Sequence, residues 1–226
     1  MTKIAVLIPD RGDRPALLEN CLNMIGRQTV QPDKVLILSE KSPLPAIDIT
    51  WRYRTGYEKL KHFDVILFME NDDWYHPQYI EMMINKWHEQ GQPDLLGTSY
   101  TIYYHIGVLA HFTMQHRERA SQMNTLIRGG LDLKWCSDSE PYTDMWLWMR
   151  TDINKIRRVI FTPDKTYSIG IKHGVGLCGG SNHFNRMHRY TNQDENMKFL
   201  KSLMDIDSLN FYSKLHYELS SKVTIA

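Results

Sequence analysis

Ile4-Ala5-Val6-Leu7-Ile8-Pro9, then Leu17-Leu18, Cys21-Leu22 and Ile25, then Val35-Leu36-Ile37-Leu38, is the stretch that decides the fold. The first run is continuously apolar, as a strand buried on both faces must be, and Pro9 closes it. Asp13-Arg14-Pro15 reads as a helix start, with Asp13 placed to cap it and Pro15 tolerated in the first turn. The apolar positions after it recur at helical spacing. Val35-Leu36-Ile37-Leu38, reached through Gln31-Pro32-Asp33, is a second buried-strand run. Strand, helix, strand at this spacing is a βαβ unit, which implies parallel strands and a right-handed crossover.

Outward from this unit, residues 42–57 are rich in Pro and polar side chains and read as irregular. Val65-Ile66-Leu67-Phe68-Met69 is the third buried strand, and Pro77 opens an amphipathic helix with Ile80, Met83, Ile84 and Trp87 on one stripe and Gly91 past its end. The expected class is α/β: an open, mostly parallel central sheet flanked by helices. Ligands in such sheets sit beyond the carboxyl ends of the strands, where Pro9-Asp10-Arg11, Ser39-Glu40 and Glu70-Asn71-Asp72-Asp73 fall.

The second half changes character. Residues 98–114 alternate around Ile106-Gly107, which predicts a hairpin or bent antiparallel strands. Residues 117–130 read as a polar segment with a short helix ending at Gly129-Gly130, and Thr143-Asp144 heads a Trp-rich helix over 145–150. A strand over 166–172, a Gly-rich stretch over 174–182, a helix around 194–204 and a mixed tail complete the chain. Without repeats or a low-complexity linker, the 226 residues are expected to form one domain.

Bulk properties exclude the simpler alternatives. A net charge of +1 demands neither a nucleic acid nor an anionic membrane. Cys21, Cys136 and Cys178 are odd in number and far apart, which argues against a disulfide framework or a cysteine zinc site. No basic-then-apolar leader opens the sequence, and no apolar run approaches the roughly 20 residues of a membrane span. A soluble cytoplasmic protein, with no stable membrane insertion and no protein partner, is the expectation.

The chemistry concentrates in Glu70-Asn71-Asp72-Asp73. Three carboxylates in four residues, placed where a buried strand leaves the core, repel one another unless water or a cation screens them. A solvated turn with acids favouring the next helix N-terminus is the bland reading. The sharper one is a divalent site in which one or two carboxylates hold Mg²⁺ or Mn²⁺ while a diphosphate fills other positions.

At this point the chain resembles a family. Val6-Leu7-Ile8-Pro9, Arg14-Pro15-Ala16-Leu17-Leu18 and Gln28-Thr29-Val30-Gln31-Pro32-Asp33 look like a family 2 glycosyltransferase of the GT-A fold, which has a Rossmann-like sheet and a smaller antiparallel acceptor-side portion. Phe68-Met69-Glu70-Asn71-Asp72-Asp73, with Pro77 and Tyr79-Ile80-Glu81 after it, resembles that family's D-x-D strand end and following helix. The resemblance is good over residues 1–90 and moderate beyond. It implies inverting, metal-dependent transfer from a nucleotide diphosphate sugar, a UDP-sugar first among donors. It also implies a nucleotide-sugar-binding half over 1–97, an acceptor-binding half over 98–190 and a helical tail over 191–226. Glu70 takes the first acidic position, Asp72 the metal-binding one and Asp73 the flank. The family usually has Asp at the Glu70 position and an acidic pair where Ser39-Glu40 stands, and the Gln-x-x-Arg-Trp motif of processive synthases is absent.

Inversion needs a base for the acceptor hydroxyl. Asp144, in Thr143-Asp144-Met145-Trp146-Leu147-Trp148-Met149-Arg150, resembles the family's helix-start acid; a cap is the alternative role, and Glu140 is the competing base. His173, or His183 beyond Gly179-Gly180, matches the late histidine that the wider GT-A superfamily places on metal or diphosphate. The Gly-rich stretch fits backbone approaching phosphate or a loop closing over donor, and Lys172 is a further diphosphate candidate. Pro9, Asp10, Arg11 and Glu40 would wall the nucleotide, with Asn71 beside them, and Arg54 sits where the family carries a nucleotide-binding cation. Trp135, Trp146 and Trp148 could stack on sugar or fill the core. His105, His111, His116, Arg117, Arg119 and Arg128 make the acceptor half locally basic, so a glycan, a lipid-linked glycan, a protein or a modified nucleic-acid base are all open as hydroxyl acceptors. Two other functions compete: a non-catalytic nucleotide-sugar or carbohydrate binding module, and a nucleotidyltransferase, whose Gly-rich basic phosphate loop Pro9-Asp10-Arg11-Gly12-Asp13-Arg14 matches only poorly.

Overall fold

The computed structural model describes residues 1–44, 47–174 and 186–223. The chain opens with β1 (Ile4–Pro9), α1 (Pro15–Gly26), β2 (Lys34–Leu38), α2 (Ile49–Leu60) and β3 (Val65–Phe68). β1 pairs in parallel with β2 on one side and β3 on the other, so the expected βαβ unit is followed at once by a second. β2 is an edge strand and only half-buried, less enclosed than its apolar run predicts. Irregular chain was expected over 42–57, but a helix begins at Ile49. Its buried stripe is Tyr53, Tyr57 and Leu60, an amphipathic pattern that two tyrosines and many polar neighbours conceal.

The main sheet runs β2-β1-β3-β8-β5-β9, with β5 (Leu95–Thr98), β8 (Thr125–Arg128) and β9 (Arg158–Phe161). β8 alone runs against the others. A polar segment with a short helix was expected there; the helix is a 3-10 turn at Gln122–Asn124, and the chain then becomes a buried strand. Three buried residues, Thr125, Leu126 and Ile127, are too few to show a period in sequence.

A second, mostly antiparallel sheet has the order β11-β7-β6-β10-β4, from β4 (Trp74–Tyr75), β6 (Tyr100–His105), β7 (Ala110–Gln115), β10 (Ser168–Lys172) and β11 (Asn192–Gln193). β6 and β7 form the expected hairpin, and β6 pairs in parallel with β10. The helices α3 (Tyr79–Glu89), α4 (Thr143–Met149), α5 (Lys198–Leu203) and α6 (Ile206–Val223) complete the chain. The helix expected around 194–204 is a 3-10 turn plus α5, and the expected mixed tail is α6, whose Leu209, Tyr212, Leu215 and Leu219 pack on the core. Among the described residues no helix is long and apolar enough to cross a membrane.

Strand alternation divides the core. Ile4, Val6, Ile8, Val65, Leu67 and Met69 face α1, α3, α6 and the second sheet, whereas Ala5, Leu7, Ile66 and Phe68 face α2 and α4. Parallel pairing of β1 with β2 and β3 places the carboxyl ends of all three opening strands together.

The Gly129-Gly130 pair ends β8 against the α2–β3 connection: the Gly129 N–H donates to the Asp64 carbonyl at 2.9 Å and the Gly130 N–H to the Lys61 carbonyl at 2.7 Å. A Cβ on Gly129 would lie 1.8 Å from the Phe63 carbonyl oxygen, a backbone atom, so the glycine is required by close approach. Gly130 has open space but a φ of +74°. Gly129→Ala is expected to cost about 1–3 kcal/mol through overpacking, and Gly130→Ala about 1–2 kcal/mol through backbone strain. Urea midpoints of the two variants and the parent check both values; an unchanged midpoint for Gly129→Ala would contradict the packing of β8.

Candidate active site

The acidic residues occupy the joint between the two sheets. β3 ends at Phe68, the Met69 N–H still donates to the Leu7 carbonyl at 3.1 Å, and the chain turns through 70–73 to enter the second sheet as β4. β4 pairs with β10, matching Ser168 with Tyr75 and Ile169 with Trp74. That pairing brings the far end of β10, with Lys172 and His173, onto the acidic turn. Asp73 is wholly buried and its Oδ1 accepts the Ile171 N–H at 2.8 Å. The Glu70 N–H donates to the Tyr75 hydroxyl at 2.8 Å, which closes the turn.

One ligand atom each from Glu70, Asp72 and Asp73 lies within 4.8 Å of the others. Burial pushes the Asp73 carboxyl well above the usual carboxylate range; Lys172 opposes this, while Asp72 and Glu70 add to it. Burial raises Glu70 as well, the Asp72 charge adding and Lys172 opposing. Asp73 Oδ2 is buried without a hydrogen-bond partner. Asp72 differs: burial raises it, but the His173 hydrogen bond and the Arg14 and Lys172 charges outweigh burial and hold it well below the ordinary range. His173 Nε2 is 3.1 Å and Arg14 Nη1 2.5 Å from Asp72 Oδ2. The Lys172 ammonium, 4.0 Å from Asp73 Oδ1, is the buried countercharge.

Hard oxygen donors, an imidazole and one unpartnered buried carboxylate oxygen suit Mg²⁺ or Mn²⁺. The structure thus joins Glu70, Asp72 and His173, which sequence reading picked out as metal ligands. His183 lies outside the described residues, as do Cys178 and the Gly-rich stretch from 175 to 182.

Glu70 and Lys172 also line a cleft with Asp144, Arg119, Tyr103 and Phe112. Asp144 sits in the first turn of α4 and is ion-paired with Arg119. Burial raises its carboxyl, opposed by the Arg119 charge and the Met145 N–H. Glu140 is not among the cleft residues; its carboxylate accepts the Tyr142 N–H at 3.3 Å. Trp148 is core, with its indole N–H on Thr125 Oγ1 at 3.0 Å, Trp146 donates to the Lys134 carbonyl at 3.0 Å, and Trp135 packs on Tyr57. None of the three lines the cleft, whose aromatic side chains include Tyr53, Tyr103, Phe112 and Tyr142.

At the end of β1, buried Asp10 accepts the Asn71 amide at 2.8 Å and the Gly12 N–H at 3.1 Å, locking the acidic turn to the first strand. Pro9 is the buried last residue of β1. Arg11 is exposed and paired with Asp13 at 3.0 Å, and Glu40 is exposed and paired with Lys59. Arg54 forms a bidentate pair with Asp138 at 2.8 and 2.7 Å. The arginine that reaches the strand ends is Arg52, whose Nη1 donates to the carbonyls of Asp10, Leu38 and Glu40.

The basic acceptor face expected from six His and Arg residues does not assemble as one surface. His116 is buried on Thr101 at 3.1 Å, where burial lowers its imidazole to about 4. His111 stacks on Phe199 with centroids 4.0 Å apart, and Arg128 pairs with Asp94 away from the cleft. Of the six, only Arg119 lines the cleft, joined by Arg186 and Arg189. Arg14 and Arg52 also went unassigned by sequence reading. For Arg14 the signal was available, as the cation that follows the first strand end.

Removing the Lys172 charge leaves the acidic turn uncompensated. Lys172→Met is expected to destabilise the fold by about 3–5 kcal/mol. Glu70 and Asp73 lie above their unfolded values, so the cost of their charge is felt at high pH and fades as the carboxyls protonate. Urea unfolding should therefore show a larger penalty at about pH 8 than at about pH 5. A pH-independent penalty would contradict the countercharge role.

No protein-family model matches the sequence, and no curated protein matches it. Solved structures do share the fold. S. aureus TarS 1–349 in complex with UDP is similar with a TM-score of 0.50 and 13% identity over 75% of this chain and 60% of that one. Its complex with UDP-GlcNAc gives 0.51 and 12% over 77% and 60%. A glycosyltransferase involved in the glycosylation of the major capsid of PBCV-1 is matched at 0.41 and 12%, over 71% and 82%, a score too low to argue from. The chain spans about 60% of the TarS fragment, and at these identities the likeness is one of fold.

Proposed function

We propose that this chain is an inverting glycosyltransferase of GT-A type, resembling family 2, that moves a sugar from a nucleotide diphosphate donor to an acceptor hydroxyl. The observation that carries the reading is the convergence, at the ends of β1, β3 and β10, of Asp72 with His173 and of Glu70 with a cleft that contains Asp144. UDP and UDP-GlcNAc are bound by the TarS fragment whose fold this chain shares, which favours a UDP-sugar as donor.

Asp72, Glu70 and His173 would hold Mg²⁺ or Mn²⁺, with Asp73 behind them; the ion supplies charge neutralisation for a departing diphosphate. Arg14 keeps Asp72 ionised, which a cation requires. The Asp10–Asn71 hydrogen bond orients the turn toward the nucleotide wall formed by Pro9, Asp10 and Arg11. Asp144 takes the proton from the acceptor hydroxyl as its oxygen bonds the anomeric carbon and the sugar–diphosphate C–O bond breaks on the opposite face. Arg119 fixes the Asp144 carboxylate and lowers its proton affinity against the effect of burial. The cytoplasm, one domain over 1–226 and the division at 97 and 190 belong to the same proposal.

The direct test is sugar transfer or hydrolysis from a panel of nucleotide sugars with Mn²⁺. Asp144→Asn should lower turnover roughly 10²–10⁴-fold while UDP still binds; turnover at the parental rate would place the base elsewhere. The base works only when deprotonated, and Arg119 lowers its proton affinity. Arg119→Gln should therefore move the acidic limb of the pH–rate profile to higher pH, and a shift to lower pH would contradict the pairing.

A further inference from the structure

The cleft beside Asp144 holds more positive charge than the transfer step accounts for. Among the described residues four cations line it, Arg119, Lys172, Arg186 and Arg189, against the carboxylates Glu70 and Asp144. Arg119 is taken up by Asp144, and Lys172 faces the acidic turn. Arg186 and Arg189 have no carboxylate partner among the described residues; Arg186 donates to the Tyr142 hydroxyl at 3.4 Å, two residues from Asp144. Asp72, Arg14 and His173 do not line this cleft, and the contact with Tyr142 sets the Arg186 guanidinium on the base side. Tyr103 and Phe112 contribute aromatic surface, with ring centroids 5.4 Å apart.

An unpaired guanidinium is a planar fork suited to phosphate or carboxylate, and aromatic rings suit the apolar face of a sugar. The geometry points to an acidic glycan unit as acceptor: its ring lies against Tyr103 and Phe112, its phosphate or carboxylate is bound by Arg186 and Arg189, and its hydroxyl meets Asp144. This rests on the reading of Asp144 as the base of a sugar-transfer site. It narrows the acceptor from any hydroxyl to one carried by an anionic sugar. The charge comes from Arg186 and Arg189 rather than from the histidines of the hairpin.

Titration calorimetry of the full chain at low salt tests this without turnover. Methyl glucoside, its 6-phosphate and methyl glucuronide are titrated with and without UDP and Mn²⁺. At least one anionic probe should bind about tenfold or more tightly than the neutral one, the better of the two identifying phosphate or carboxylate, and the preference should shrink with added salt. The double substitution Arg186→Gln with Arg189→Gln should erase the preference while UDP still binds, and the corresponding Lys pair should keep part of it. Equal binding of charged and neutral probes overturns the inference, as does a preference that survives the Gln pair. Loss of UDP binding in the Gln pair would assign the arginines to the donor and overturn it too. Failure of the parent to bind UDP counts instead against the glycosyltransferase reading.

Discussion

The buried carboxylate of Asp73 is the constraint on which the rest of this molecule depends. One oxygen accepts the Ile171 N–H, so a side chain at the end of the turn from β3 to β4 takes the place of a ladder partner for β10 and ties the exit of the main sheet to the second. A charged group with no access to solvent is costly unless it is paired, and among the described residues the cation that faces Asp73 is itself buried, Lys172 on the next residue of the same strand. The joint thus fixes three things together: the exit of β3, the register of β4 on β10, and the position of His173 one residue beyond Lys172.

From that joint the charge distribution follows. Three carboxylates crowd one turn, and the fold answers with Arg14 from the start of α1, Lys172 from β10 and an imidazole from His173. The compensation is unequal. Asp72 receives two partners and is held ionised, whereas Glu70 and Asp73 are pushed toward their neutral forms by burial and by the Asp72 charge. A hard divalent cation would relieve this imbalance, and a nucleotide diphosphate would in turn balance the cation. Asp10 and Arg52 complete the frame by tying the ends of β1 and β2 to the same turn.

Much of this was legible in sequence where burial is total. The runs at 4–8 and 65–69 are apolar on both faces and could only be central strands, and the acids after the second are visible because nothing apolar dilutes them. Asp144 at a helix start and His173 after a strand were equally readable, as single polar residues at element ends. Elements held by few residues were not. β8 owes its place to the neighbours on either side, β3 and β5, and α2 hides its stripe in Tyr53 and Tyr57. Charge partners across the fold were also illegible: 58 positions separate Arg14 from Asp72 and 25 separate Arg119 from Asp144, and no local pattern links them. The exposed face inferred from clustered His and Arg dispersed for the same reason, since strand alternation and ring stacking send His111 and His116 into contacts that the spacing of basic residues does not reveal.

The parts make one account. A central sheet presents its strand ends, the joint to a second sheet gathers acids and their countercharges there, and a cleft runs from Glu70 to the helix-start acid Asp144. The claim at its centre is that the acidic turn binds a nucleotide diphosphate through a divalent cation. Titration of UDP into the chain, once with Mn²⁺ and once with chelator, tests it most directly. The account predicts binding at least about tenfold tighter with Mn²⁺, a gain lost in Asp72→Ala. Equal UDP affinity in the two conditions, or a gain untouched by Asp72→Ala, would contradict it.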